Sequence, residues 1–238
     1  MGYFFVRKKD IENKVIKVTG SEFRHIKNVL RVRIGDRLIF TTGDGDEYHS
    51  VISSVGNKYI KAQIGRITRK TNEPLGFIAI AIASPKAQRM DWFVEKATEL
   101  GVSEIIPVLT KRSVVVPGTS KVNRWRRIAI SAIKQAERSI LPEIKDLTSF
   151  EDFLSLSMEF PIRFIAYEKE DKKNFKTYLS GKKNKKIIVL IGPEGGFEDE
   201  EVELAQSKGF IPVTLGVTKL RTETAGIVAL SRILANIG

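Results

Sequence analysis

The chain has no cysteine and only two histidines, His25 and His49. That excludes disulfides, thiolate nucleophiles, iron–sulfur clusters and Cys-based zinc sites, and argues against a multi-histidine metal centre. No apolar run reaches the ~18 residues of a membrane-spanning helix. The opening Met1-Gly-Tyr-Phe-Phe-Val-Arg-Lys-Lys-Asp10 puts its apolar stretch before its charges, the reverse of a secretion signal, so a cytoplasmic location is expected. Acids are in short supply: 28 Asp and Glu face 40 Lys and Arg, a net charge of +12. Residues 1–72 hold +8 of that excess and residues 73–238 only +4. A basic module ahead of a nearly balanced larger domain is either a polyanion-binding appendage or a merely solvated basic surface. With 238 residues, the chain can bury a core without metal or disulfide staples.

The first third is rich in short β-branched and aromatic runs: Tyr3–Val6, Val15–Val18, Arg37–Thr42, Tyr48–Val55 and Tyr59–Ile67. Gly-containing turns separate several of them, as in Thr42-Gly-Asp-Gly-Asp46. One helix interrupts the pattern, with Ser21 as its cap and Phe23, Ile26, Val29 and Leu30 as its apolar face. A small β-barrel with one basic helix is expected over 1–72, and Thr71-Asn-Glu-Pro74 reads as the linker to a second domain over 73–238.

From Leu75 the rhythm changes. Phe77–Ala83, Glu104–Leu109, Ile162–Ala166, Ile187–Ile191 and Ile211–Leu215 are near-continuous apolar runs, which suit parallel strands covered on both faces. Helical spacing appears from Met90 to Leu100 with Gly101 as its stop, after a cap at Asn123, across Glu198–Lys208, and over Ala225–Leu234. Alternating strands and helices predict an α/β domain with a mainly parallel sheet. Lys182-Lys-Asn-Lys-Lys186 reads as a solvated loop.

Two strand-to-helix segments carry unusual chemistry. Leu190-Ile-Gly-Pro-Glu-Gly-Gly-Phe197 leaves an apolar strand where ligands sit in open α/β sheets. It lacks the dinucleotide and P-loop patterns, and its rigid, acidic turn suits a neutral or cationic ligand; an ordinary tight turn is the alternative. Leu215-Gly-Val-Thr-Lys-Leu-Arg-Thr-Glu-Thr-Ala225 again enters a helix, capped by Thr222 or Thr224. Arg221 and Glu223 beside it are either a surface ion pair at a helix start or a ligand loop with one cation and one anion.

Taken with Arg89–Val102, Thr110–Ser113 and the basic stretch Phe23–Asp36, these segments make the whole chain resemble the bacterial 16S ribosomal RNA uridine-N3 methyltransferases of the SPOUT class. One departure is local: where that family often has Gln-Ser-Gly-Arg, this chain has Gln135-Ala-Glu-Arg138. The resemblance implies a PUA-like β-barrel followed by an α/β domain with a C-terminal trefoil knot. It also implies a homodimer, S-adenosylmethionine as methyl donor without a metal, and a 16S rRNA uridine near the decoding centre as acceptor. On that basis the donor is expected against Leu190, Ile191, Gly192, Pro193, Glu194 and Gly195, with Tyr167 nearby. Leu215, Gly216, Leu220, Thr224 and Ala225 complete that expectation. Arg221 is the expected cation beside the uracil oxygens, with Glu223 orienting it or holding the donor. RNA is expected on Arg7, Arg24, Lys27, Arg31 and Arg33, and on Lys86, Arg89 and Arg138. A non-catalytic rRNA-binding assembly factor, or a methyltransferase for another rRNA or tRNA base, is the rival reading.

Overall fold

The computed structural model describes residues 2–86, 88–179, 181 and 185–237; Lys182–Asn184 of the basic run lie outside them. The chain divides into two compact units, one of residues 1–73 with 133–141 and one of 74–132 with 142–238.

In the first unit, strands β1 (Gly2–Phe5), β2 (Ile11–Glu12), β3 (Val15–Val18), β4 (Arg37–Thr41), β5 (Asp46–Val55) and β6 (Ile60–Arg69) form one sheet in the order β1-β4-β5-β6-β3-β2. β1 and β4 run parallel and the other neighbours antiparallel. Register shifts at His49/Ser50 and Ile52/Ser54 mark bulges that bend the long β5–β6 ribbon. Its inward residues, among them Phe4, Ile16, Phe40, Ile52 and Ile60, make one apolar cluster. Helix α1 (Gly20–Arg24) adds Phe23, and the π-helical turn His25–Val29 adds Ile26. The helix is capped two residues earlier than expected, at Thr19 rather than Ser21. Val29 and Leu30, expected on its apolar face, are exposed instead. The amide of Leu30 bonds to the carbonyl of His25, five residues back. That extra residue in the turn rotates both side chains away from the core.

The 133–141 stretch is fastened to this unit by polar contacts. Ile140 bridges to Asp44, the Thr41 hydroxyl donates to Ser139 O (3.0 Å), and Leu141 N donates to Gly43 O (2.9 Å). A Cβ on Gly43 would stand 2.7 Å from the Leu141 Cβ, so a side chain there has no room. The expected linker is also fixed: the buried carboxylate of Glu73 meets Arg138 Nη2 at 2.7 Å and accepts Ile140 N at 2.8 Å. Glu137, at the position where the related pattern has Gly, holds a left-handed φ of 52°.

In the second unit, β7 (Phe77–Ala83), β8 (Glu104–Leu109), β9 (Glu143–Ile144), β10 (Thr148–Ser149), β11 (Ile162–Ala166), β12 (Lys186–Ile191) and β13 (Ile211–Val213) form a wholly parallel sheet. The order is β10-β8-β7-β12-β11-β13, with β9 also against β8. Strand β12 therefore returns to the middle, between β7 and β11, and β13 lies outside β11. Helices α2 (Arg89–Leu100), α3 (Thr119–Gln135), α4 (Phe150–Leu156), α5 (Phe175–Leu179), α6 (Asp199–Ser207) and α7 (Thr222–Ile237) alternate with the strands, α3 leading into the 133–141 stretch. Gly101 ends α2 with a φ of 107°, as its position predicts. Asn123 is not the cap of α3: the helix starts at Thr119 because buried Val122 extends its apolar face by a turn. Helix α7 likewise starts at Thr222, not Ala225. Arg221 O accepts its first bond, from Ala225 N, so neither Thr222 nor Thr224 is the cap. Helices α4 and α5 have no counterpart in the expected elements. Ser149 caps α4 by accepting from Asp152 N.

Candidate active site

Because β11, β12 and β13 are parallel neighbours, the loops at their carboxyl ends share one edge of the sheet. Together with the start of α7 they enclose a cavity of about 440 Å³. Of the residues expected there, Tyr167, Ile191, Gly192, Pro193 and Glu194 line it, as do Leu215, Gly216, Leu220 and Ala225. Leu190, Gly195 and Thr224 are not among its lining residues. Leu190 is instead fully buried in the sheet. Lys219 and Thr222, within the expected Leu215–Ala225 segment, also line the cavity, as does Phe197 at the end of the other; Glu168 and Thr214 are residues that sequence reasoning passed over. Their signal was position alone, since each flanks a strand end or a helix start.

The loop after β12 is braced from several sides. Gly196 N bonds to Pro193 O (2.9 Å), closing a tight turn with Gly196 at a φ of 71°. Phe197 is buried in the main apolar cluster. Arg112 donates to Gly195 O at 2.7 Å and reaches both oxygens of Glu198 at 2.8 and 2.9 Å, a planar fork across loop and helix start. This bond holds the Glu198 carboxyl below its ordinary pKa. Buried Glu201 accepts from Lys111 N and Glu198 N, both at 2.9 Å. Tyr167 OH donates to Asp199 at 2.9 Å, and Lys169 pairs with the same carboxylate at 2.6 Å. Lys169, more than Tyr167, lowers the Asp199 pKa, while burial above all raises that of the Tyr167 phenol.

The loop after β13 has fewer ties. Thr214 Oγ1 accepts Gly216 N at 3.1 Å, and Arg232 reaches Thr214 O at 3.4 Å. Beyond it Arg221 is exposed, and its guanidinium forms no ion pair among the described residues. The expected Arg221–Glu223 pair is not formed. Positions two apart at a helix start face away from each other, and Glu223 turns inward to Arg89 Nε at 3.8 Å. Arg89 also reaches Glu194 at 3.3 Å, so one guanidinium joins the loop after β12 to the start of α7. Two oxygens here are buried without a partner among the described residues, Thr222 Oγ1 in the cavity wall and Glu223 Oε2 beside it in sequence. Buried polar atoms are rarely left so, and a ligand that donates to or accepts from them would remove the penalty. The cavity's glycine-bearing loops and apolar strand ends fit an adenine ring, and its lining of Glu168 and Glu194 with Lys169 and Lys219 fits a ligand carrying charges of both signs.

The residues expected to contact RNA fall into distinct settings. Arg24, Arg31, Arg33 and Lys86 are exposed, whereas Arg7 pairs with Asp10 at 3.2 Å. Lys27 donates to Gly56 O at 3.1 Å and lies over the Phe23 ring. Arg138 is a correction: it is buried against Glu73, so its guanidinium serves the interior of the first unit.

Residues 71–234 match the family model of the RNA methyltransferase domain, and residues 18–65 that of the RNA methyltransferase PUA domain. A ribosomal RNA small subunit methyltransferase E of Bacillus subtilis (strain 168) is 33% identical, covering 97% of this chain and 94% of that protein. The same-named protein of Mesomycoplasma hyopneumoniae (strain 232) is also 33% identical, over 96% of this chain and 97% of its own. The crystal structure of a ribosomal RNA small subunit methyltransferase E from Neisseria gonorrhoeae, bound to S-adenosylmethionine, superposes with a TM-score of 0.87 at 26% identity, covering 99% of this chain and 97% of that one.

Proposed function

The chain belongs to the RNA methyltransferase family, and on that premise we propose that it methylates 16S rRNA in the cytoplasm, with N3 of a uridine near the decoding centre as acceptor and S-adenosylmethionine as donor. The observation that carries this reading is the cavity at the three strand ends, walled by glycine-rich loops and lined by Thr222, whose buried Oγ1 has no partner among the described residues. The bound donor supplies an electrophilic sulfonium methyl group, which leaves positioning as the protein's main task.

Gly192 and Gly216 line the cavity without a side chain, which lets the donor approach the loop backbone closely, and Thr222 adds a hydroxyl. The acceptor sets the harder problem. Uracil N3 carries a proton, and its loss spreads negative charge over O2 and O4. Arg221, exposed and uncommitted, is assigned to stabilise that charge. Glu223, with one oxygen unspent, is assigned to accept the proton, and Arg89 holds its carboxylate in place. Reaching N3 requires the uridine to leave its stack. Exposed Arg24, Arg31 and Arg33 serve phosphates, with Lys86 as a further contact. The reading carries two architectural corollaries. One is a trefoil knot in the C-terminal segment, with which the return of β12 between β7 and β11 is compatible. The other is a homodimer with its active sites near the subunit interface.

The test uses small subunits from a strain lacking the gene, purified protein and labelled donor, followed by mass mapping of digested nucleosides. A single N3-methyluridine supports the proposal. Label on another base or on tRNA moves the target. RNA binding without donor binding would make the chain a non-catalytic assembly factor.

A further inference from the structure

A second surface lies wholly within the first unit. Where the π-helical turn ends, Val29, Leu30 and Ile34 are 64%, 44% and 69% exposed. Isolated exposed aliphatics are common on soluble proteins, but these three sit within six residues of one another on a braced loop. Val32 between them packs on the apolar core. The Asp36 carboxylate accepts Arg33 N at 2.7 Å, Asp36 N donates to Arg33 O at 3.1 Å, and Gly35 N donates to Ile52 O at 2.9 Å. Arg31 holds a left-handed φ of 53°, a conformation that an L side chain rarely adopts. The loop thus keeps three apolar side chains in water at a conformational cost.

The charge around them identifies the occupant. Arg24, Arg31, Arg33 and Arg37 are all exposed, and none forms an ion pair or side-chain hydrogen bond among the described residues. A protein partner with an apolar face would bury unpaired guanidinium groups at a penalty; a polyanion that also offers apolar faces would not. RNA with unpaired bases is such a molecule, since phosphates pair with arginine and base faces accept aliphatic contact. We propose that Val29, Leu30 and Ile34 form an aliphatic wedge that packs against unstacked RNA bases, while the surrounding arginines hold the flanking phosphates. The wedge gives the basic unit a preference for open over paired RNA that charge alone cannot supply. It requires of the methyl-transfer reading only that the chain binds RNA.

The experiment compares the full chain with the triple variant Val29→Ser, Leu30→Ser, Ile34→Ser on a stem–loop RNA and on a fully paired duplex, over a range of salt. The wedge predicts about a tenfold or greater loss on the stem–loop, the scale of one lost base contact. It also predicts an unchanged salt slope and unchanged duplex affinity. A fluorescent adenine analogue in the loop should brighten with the parent chain and not with the variant. Neutralising Arg24, Arg31 and Arg33 should instead flatten the salt slope, by roughly 0.7–0.9 per lost phosphate contact. Unchanged stem–loop affinity, or equal losses on both RNAs, would overturn the wedge. So would a shift of the variant from dimer to monomer, which would make the patch a protein interface. Failure of the unaltered chain to bind either RNA would overturn the RNA reading as well.

Discussion

Two buried glutamates stand in opposite situations. Glu73, in the first unit, has both carboxylate oxygens engaged, one by Arg138 and the other by Ile140 N. Glu223, at the strand-end edge of the second unit, has one oxygen 3.8 Å from Arg89 and the other without a partner among the described residues. A saturated buried carboxylate is a structural fastener. An unsaturated one costs stability and persists where a ligand completes it. On the proposed function, the difference separates a site that holds the chain together from one that works on a substrate.

The comparison is broken most severely at the fastener. Glu73→Ala leaves the Arg138 guanidinium buried without its carboxylate and should cost about 3–5 kcal/mol, read by denaturant unfolding. A loss under ~1 kcal/mol would show that Arg138 finds solvent. Glu223→Gln should behave in reverse. Unfolding should change little, while the single-turnover methylation rate at saturating donor and RNA falls about a hundredfold, the scale of a lost general base. Arg221→Ala should produce a similar loss of rate with near-normal donor affinity, and Arg221→Lys should not restore it, because an ammonium lacks the guanidinium's planar fork. A near-normal rate in Arg221→Ala would exclude the assigned role and leave the uracil oxygens to another cation.

A milder change sharpens the contrast between the two loops of the site. Arg112→Ala removes the contacts to Gly195 O and Glu198 and should weaken donor binding by about tenfold, the value of one or two charge-assisted bonds. Isothermal titration with S-adenosylmethionine reads this directly, and an unchanged Kd would show that the loop holds its shape without the brace. The smallest effect should come from the left-handed residue beside the fastener. Glu137→Gly relieves the φ of 52° and should raise stability by up to about 1 kcal/mol, a Tm gain of roughly 2–4 °C. A lower Tm would mean that the entropy of the added glycine outweighs the relief.

The five longer strands of the parallel sheet were legible in advance because burial on both faces writes itself as an unbroken apolar run, whereas the two-residue strands β9 and β10 were not. Phe77–Ala83, Glu104–Leu109 and Ile162–Ala166 form as read. The strand-end loops were legible for a related reason, since glycine and proline mark where a chain must turn between covered elements. The end of α2 at Gly101 is equally local. Short elements such as α5 gave too few turns for a periodicity to register. The π-helical turn shifts the phase of its own pattern, so Val29 and Leu30 read as core and lie in water.

Composition and periodicity thus determined where the longer strands lie, where the chain turns between them, and that the basic excess sits in the first third. Local spacing records whether a side chain is covered, because burial follows a fixed period along each element. Tertiary structure alone decided the pairings. Arg138 lies 65 positions from Glu73, Arg89 lies 105 from Glu194, and Arg112 lies 83 from Gly195. Which cation meets which carboxylate depends on strand order and loop closure, and no period along the chain carries that information. The same arginine types therefore became a fastener at Arg138, a brace at Arg112 and an uncommitted cation at Arg221 only when the chain had folded.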